Sequence, residues 1–105
     1  MSSGAILIFS AEVIPGKEEE FNKWYDEHHI PLFSQKLPGL KKVKRFYSKR
    51  AEPQFLAIYE YDSFDDLKKS LSSEEMKAAA ADADSQKGIL ISSSKTSVYD
   101  QIFPK

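Results

Sequence analysis

The stretch FNKWYDEHHIPLFSQKLPG, Phe21 to Gly39, carries the chain's only two histidines, a proline inside a helical pattern and a closing turn. At about 100° per residue, Phe21, Trp24, Tyr25, His28 and Leu32 fall within one arc. Lys23, Asp26 and Glu27 fall outside it. The pattern predicts an amphipathic helix to about Ser34, with His28 near the middle of its apolar face. His29 lies at the edge of that face, one turn beyond Tyr25, where i,i+4 side chains can touch. Pro31 has no N–H, and its ring clashes with the carbonyl of Glu27. A kink or change of pitch is therefore expected between His28 and Pro31, and it can turn either imidazole inward. Leu37-Pro38-Gly39 reads as the turn that closes the segment.

Working outward, Ala5 to Val13 reads as a strand whose first five residues are apolar on both alternating faces, which implies burial on both sides. Pro15-Gly16 ends it, and Lys17 to Glu20 supplies a charged first helical turn with acids where the dipole favours them. Leu40 to Tyr47 and Phe55 to Tyr61 read as an antiparallel pair joined by the polar loop Ser48 to Gln54. Ser63 and Asp66 form a capping-type start for a short helix marked by Phe64, Leu67 and Leu71. Ser73 can cap a second, alanine-rich piece, Glu74 to Ala83. Ser85 to Gly88 reads as loop, Ile89 to Ile91 as a short strand or loop wall, and Thr96 to Phe103 as the last strand. The order β-α-β-β-α-β is the ferredoxin-like α+β pattern, an antiparallel sheet with both helices on one face. One domain, 1–105, accounts for the whole length. Apolar residues on the remaining sheet face need a cover, and a second copy of the chain is the expected one, giving a homodimer.

Charge and composition narrow the function classes. Fifteen Lys+Arg face 16 Asp+Glu, a formal charge of −1, so neither nucleic acid nor an anionic membrane is an expected partner. The absence of cysteine removes disulfides, thiolate nucleophiles and thiolate metal sites, and fits a reducing compartment. Met1 to Ser10 has no basic segment ahead of its apolar run, which is too short to span a bilayer. A soluble, cytoplasmic protein is expected. No glycine-rich phosphate loop is present. Adjacent histidines on a helix diverge by about 100°, whereas helical metal ligands pair at i,i+4, so no metal site is expected.

Tyr25, His29, Pro31 and Leu32 follow the pattern of a helical Tyr, three residues, His, one residue, Pro, Leu. Leu37-Pro38-Gly39 and a basic second strand follow. These features resemble the EthD-like group of the dimeric α/β-barrel superfamily. The resemblance implies a small-molecule pocket, usually hydrophobic, between helix and sheet or inside the barrel. It also implies that His29 is the family's histidine and His28 an addition, whereas the helical wheel puts His28 further inward. Both are retained as candidates, with His29 preferred. Superfamily members include cyclases, dehydratases, decarboxylases, monooxygenases that need no cofactor and haem-using relatives.

The expected function is a small-molecule enzyme without a cofactor, using histidine acid/base chemistry on an aromatic or polyketide-like substrate. Histidine's unperturbed pKa of about 6.5 suits it to take and return a proton near neutrality. His29, His28 and Tyr25 are the catalytic candidates. Trp24, Phe33, Arg45, Tyr47, Tyr59 and Tyr61 are the candidates for binding a hydrophobic small molecule, because tyrosines combine an apolar ring with a hydrogen-bonding tip. The alternative is a dimeric domain that binds a small molecule without turnover, or has a structural role only. The alanine run Ala78 to Ala81 reads as close helix packing without chemistry.

Overall fold

The computed structural model describes residues 4–104. Strands β1 (Ala5–Val13), β2 (Leu40–Tyr47), β3 (Phe55–Tyr61) and β4 (Ile91–Asp100) pair antiparallel in the order β2-β3-β1-β4. One helical path joins β1 to β2: α1 (Glu18–Trp24), a π-helical turn (Tyr25–His29) and α2 (Ile30–Phe33). Helices α3 (Phe64–Leu71) and α4 (Glu74–Ser85) join β3 to β4. The layer architecture is the ferredoxin-like one expected, with the helices on one face of the sheet. Among the described residues no helix is long and apolar enough to cross a membrane.

Strand alternation decides which side is core. Ala5, Leu7, Ala11 and Val13 of β1 and Phe55, Ala57, Tyr59 and Tyr61 of β3 are buried beneath the helices. The other face carries Ile6, Ile8, Phe46, Leu56, Ile58 and Tyr99, aligned in neighbouring rows by the register. These are half-buried or exposed in the single chain, so the two-sided burial expected for β1 is met on one side only.

The bounds of β1, β2 and β3 coincide with those read from the sequence. The last strand does not. It runs from Ile91 to Asp100, where Thr96 to Phe103 was expected. Pairing with β1 sets its length: Ala5 lies opposite Asp100 and Val13 opposite Ile91. The ladder therefore recruits the serines Ser92 to Ser94 despite their weak strand preference. Ile102 and Phe103 fall beyond the ladder and are exposed.

The helical path departs from a regular wheel where the proline requires it. The N–H of Ile30 reaches back to the carbonyl of Tyr25, five residues earlier, and Pro31 follows within α2. A turn closed over five residues rotates less per residue, so steps of four stay in line. Phe21, Tyr25, His29 and Phe33 form the buried stripe. Leu32 is displaced outward, and the expectation that His28 faces the core is overturned: its side chain is 58% exposed, against 5% for His29.

Both short helices start as expected, with the Ser63 hydroxyl accepting from the N–H of Asp66 and that of Ser73 from Met76. The turn into β2 is tighter. Gly39 has φ +73°, and a Cβ there would lie 2.6 Å from the Cβ of Asp66. Gly16 has φ +86° with open space around it. Both replacements by alanine incur the left-handed penalty of about 1–2 kcal/mol. Gly39→Ala adds an overpacking cost of about 1–3 kcal/mol. Urea midpoints are thus expected to fall for both variants, and further for Gly39→Ala; equal losses would show that Asp66 yields without cost.

Candidate active site

The buried stripe of the helical path faces α4 across a cavity of about 230 Å³. Leu7 and Phe9 of β1, Tyr59 of β3 and Thr96 of β4 line the sheet side. Tyr25, His29 and Phe33 come from the helical path, and Met76, Ala79, Ala80 and Ala83 from α4. Asp84, Lys87, Ser94 and Lys95 also border it, so the lining is mainly apolar with polar and charged groups among it.

His29 is held from all sides. Trp24 stacks on its ring at 4.7 Å, while Tyr25 and Phe33 meet it edge-on at 4.9 and 4.8 Å. Its Nδ1 lies 2.7 Å from Oδ2 of Asp82 in α4. A carboxylate accepts, so Nδ1 carries the hydrogen and donates it, leaving Nε2 of the neutral ring as the basic nitrogen. Burial lowers the pKa of His29 below its ordinary value, and the hydrogen bond and charge of Asp82 oppose the shift without cancelling it. The imidazole is therefore neutral near pH 7 and able to accept a proton. Asp82 also receives His28, whose Nε2 is 3.3 Å from Oδ1. The widened turn thus brings two consecutive imidazoles onto the two oxygens of one carboxylate.

Tyr25 and Tyr59 touch through their hydroxyls, 2.6 Å apart, at the cavity wall. Burial raises the pKa of both well above the usual phenol value, so both are protonated hydroxyls at neutral pH.

Of the residues singled out from the sequence, the fold brings His29, Tyr25, Phe33 and Tyr59 to the cavity. The others take different places. Arg45 donates to Asp26 and Asn22, each at 2.7 Å, and lies over the outer face of the Tyr25 ring. Trp24 supports His29 from behind, with its indole Nε1 buried and without a hydrogen-bond partner among the described residues. Tyr47 packs on Phe55 and is largely exposed, and the Tyr61 hydroxyl bonds Ser70 at 2.7 Å. His28 stands outside the cavity. Arg45, Tyr47 and Tyr61 share the helix-side face of the sheet with Tyr59 but stand at other positions along it, and Trp24 lies behind His29, so none of the four lines the cavity.

Two contributors were not anticipated. Asp82 is 53 residues from His29 in sequence, and its one local signal is an acid near the end of a helix, where the dipole disfavours negative charge. The alanines of α4, expected to pack closely, instead border the open volume at Ala79, Ala80 and Ala83. Among the described residues no group of three or more His, Cys, Asp or Glu is placed to hold a metal ion.

This same architecture appears in solved structures. An EthD-family protein from Bacillus halodurans superposes with a TM-score of 0.74 at 23% identity, covering 94% of this chain and 99% of that one. The chain shares the EthD fold. A mutant of SnoaB, a cofactor-independent oxygenase from Streptomyces nogalater, matches with a TM-score of 0.68 at 14% identity, covering 99% and 100% of the two chains. A candidate antibiotic biosynthesis monooxygenase from Nitrosomonas europaea matches at 0.67 and 16%, covering 99% and 95%. No protein-family model and no curated protein matches the sequence. The structural neighbours accord with the resemblance carried by Tyr25, His29, Pro31 and Leu32.

The lowered pKa of His29 has a consequence for stability. The unfolded chain binds its proton at about pH 6.5, the folded chain only at lower pH. Stability from this residue is complete above pH 6.5 and is lost as the pH falls below it. Wild type is expected to lose more stability between pH 7.5 and pH 5 than His29→Gln, measured by urea unfolding at both pH values. Identical losses would mean that His29 titrates as it does in the unfolded chain.

Proposed function

We propose that the protein is a small-molecule enzyme that moves a proton on an aromatic or polyketide-like substrate without a cofactor, in an EthD-like site. The observation that carries this reading is the imidazole of His29, held by Asp82, in the wall of a mainly apolar cavity beside two neutral tyrosine hydroxyls. Nε2 of His29 removes a proton from a carbon next to a carbonyl. The electron pair of that C–H bond forms a C=C bond as the carbonyl π pair moves onto the oxygen, where a tyrosine hydroxyl donates a hydrogen bond to the forming enolate. Asp82 holds the ring in the tautomer that keeps Nε2 free and stabilises the imidazolium once formed. Return of the proton to a different atom, loss of a neighbouring hydroxyl or ring closure by the enolate would give isomerase, dehydratase or cyclase outcomes. The cofactor-independent oxygenase among the structural neighbours adds support for small-molecule chemistry on this fold.

Deuterium exchange at the α-carbon of 2-tetralone, followed by NMR in D2O, tests the proton step without the natural substrate. Wild type is expected to speed exchange over buffer. His29→Ala and Asp82→Asn should each reduce that catalysis by about 10²–10⁴-fold. Exchange unchanged in His29→Ala rejects the assignment. Tight binding with no exchange by any protein favours the alternative, a binding domain without turnover.

The working form we propose is a homodimer closed by the apolar sheet face. Ile8 and Ile58 sit side by side at its centre, flanked by Lys44 and Ser97 in the same row. An uncovered apolar patch of this kind marks an interaction surface, and the charges at its margin, Lys42, Lys44, Glu60 and Lys95, suit a polar rim. Light scattering at micromolar concentration is expected to give twice the chain mass for wild type and the single mass for Ile58→Asp. A wild-type mass of one chain would eliminate the dimer.

A further inference from the structure

The alanine face of α4 makes the cavity what it is. Met76, Ala79, Ala80 and Ala83 recur at helical spacing on the side of α4 that meets the stripe of Tyr25, His29 and Phe33. On α3, by contrast, the inward position is Leu67, which is fully buried and fills its space. Where α4 offers methyl groups, the gap to the sheet stays open. Any larger side chain at Ala79, Ala80 or Ala83 would project into it, so the three residues act as a size limit on whatever enters.

The volume converts that limit into a ligand class. An apolar cavity of about 150 Å³ takes up benzene. The present cavity of about 230 Å³ is half as large again, enough for a substituted single ring or two fused rings. Its walls are mainly aromatic and aliphatic; His29 and the Tyr25–Tyr59 pair meet on one part of them, and Asp84, Lys87, Ser94, Lys95 and Thr96 also border the space. A ligand that fits has a flat apolar body and an oxygen at one end. We infer that the substrate is an oxygenated one- or two-ring aromatic, and that Ala79, Ala80 and Ala83 determine this size. At the packing with which benzene sits in its cavity, three fused rings would crowd this one, which favours the smallest members of the polyketide-like class. The inference rests on the proposed site but not on its chemistry.

Calorimetric binding of phenol, 1-naphthol and 9-phenanthrol provides the test. Wild type is expected to bind 1-naphthol best, phenol more weakly, and 9-phenanthrol at least tenfold more weakly than 1-naphthol. Ala83→Leu should weaken 1-naphthol at least tenfold while leaving phenol within threefold. Ala80→Leu, at an exposed position that places no demand on the core, repeats the test if Ala83→Leu fails to fold. Met76→Ala, which enlarges the space, should bring 9-phenanthrol closer to 1-naphthol. Binding of 9-phenanthrol by wild type as tight as that of 1-naphthol overturns the size limit, as does an equal loss of phenol and 1-naphthol in the leucine variants. If none of the three binds, the ligand class is wrong. If the binding order holds while 2-tetralone exchange is absent, the size limit stands and only the proton chemistry falls.

Discussion

Pro31 can neither donate a backbone hydrogen bond nor tolerate the carbonyl of Glu27 in its regular helical position. The chain answers by closing the preceding turn over five residues, from Tyr25 to Ile30. Widened turns of this kind are rare and concentrate at functional sites. Here the widening brings four aromatic rings, Phe21, Tyr25, His29 and Phe33, into one buried line. A regular helix would have carried the line round to His28 and Leu32, leaving an imidazole and an isobutyl group where the cavity now has an imidazole and a phenyl ring. The placement of the basic nitrogen therefore depends on a backbone constraint two residues beyond it.

The rest of the site follows from how little α4 supplies to the layer opposite that line. Alanine satisfies helix propensity without contributing volume, so α4 can be stable and still leave a space. Asp82, on the same helix, is electrostatically misplaced for the helix itself. The imidazoles of His28 and His29 account for its position, one at each carboxylate oxygen. Stability and site thus pull in different directions within α4. The helix tolerates both the open volume and the misplaced charge because its start is firmly capped at Ser73 and its C-terminal part meets the two histidines.

Much of this was legible in the sequence. The bounds of β1, β2 and β3, the caps at Ser63 and Ser73 and the Leu37-Pro38-Gly39 turn all rest on local chemistry, which needs no knowledge of distant partners. Proline's effect on pitch was also local, although its direction was not. Rotating His29 inward requires knowing that the turn widens rather than kinks, and a wheel of constant pitch cannot represent that. Asp82 and the length of β4 were illegible for a different reason. Each is set by a partner far along the chain, Asp82 by His29 and β4 by β1. The place of Arg45 was illegible because a charge inside a strand was read without its neighbours. Asp26 and Asn22, both on the helical path, hold its guanidinium outside the cavity.

The contact between Tyr25 and Tyr59 joins two hydroxyls, and either oxygen can be the donor. One proton lies between them, and the other is left on whichever hydroxyl accepts. Reversing the direction of that bond exchanges the roles of the two rings without moving a heavy atom. A ligand carbonyl and a ligand hydroxyl place opposite demands on a wall, one needing a donor and the other an acceptor. This pair can meet either demand, offering a donor or an acceptor without any shift of its rings.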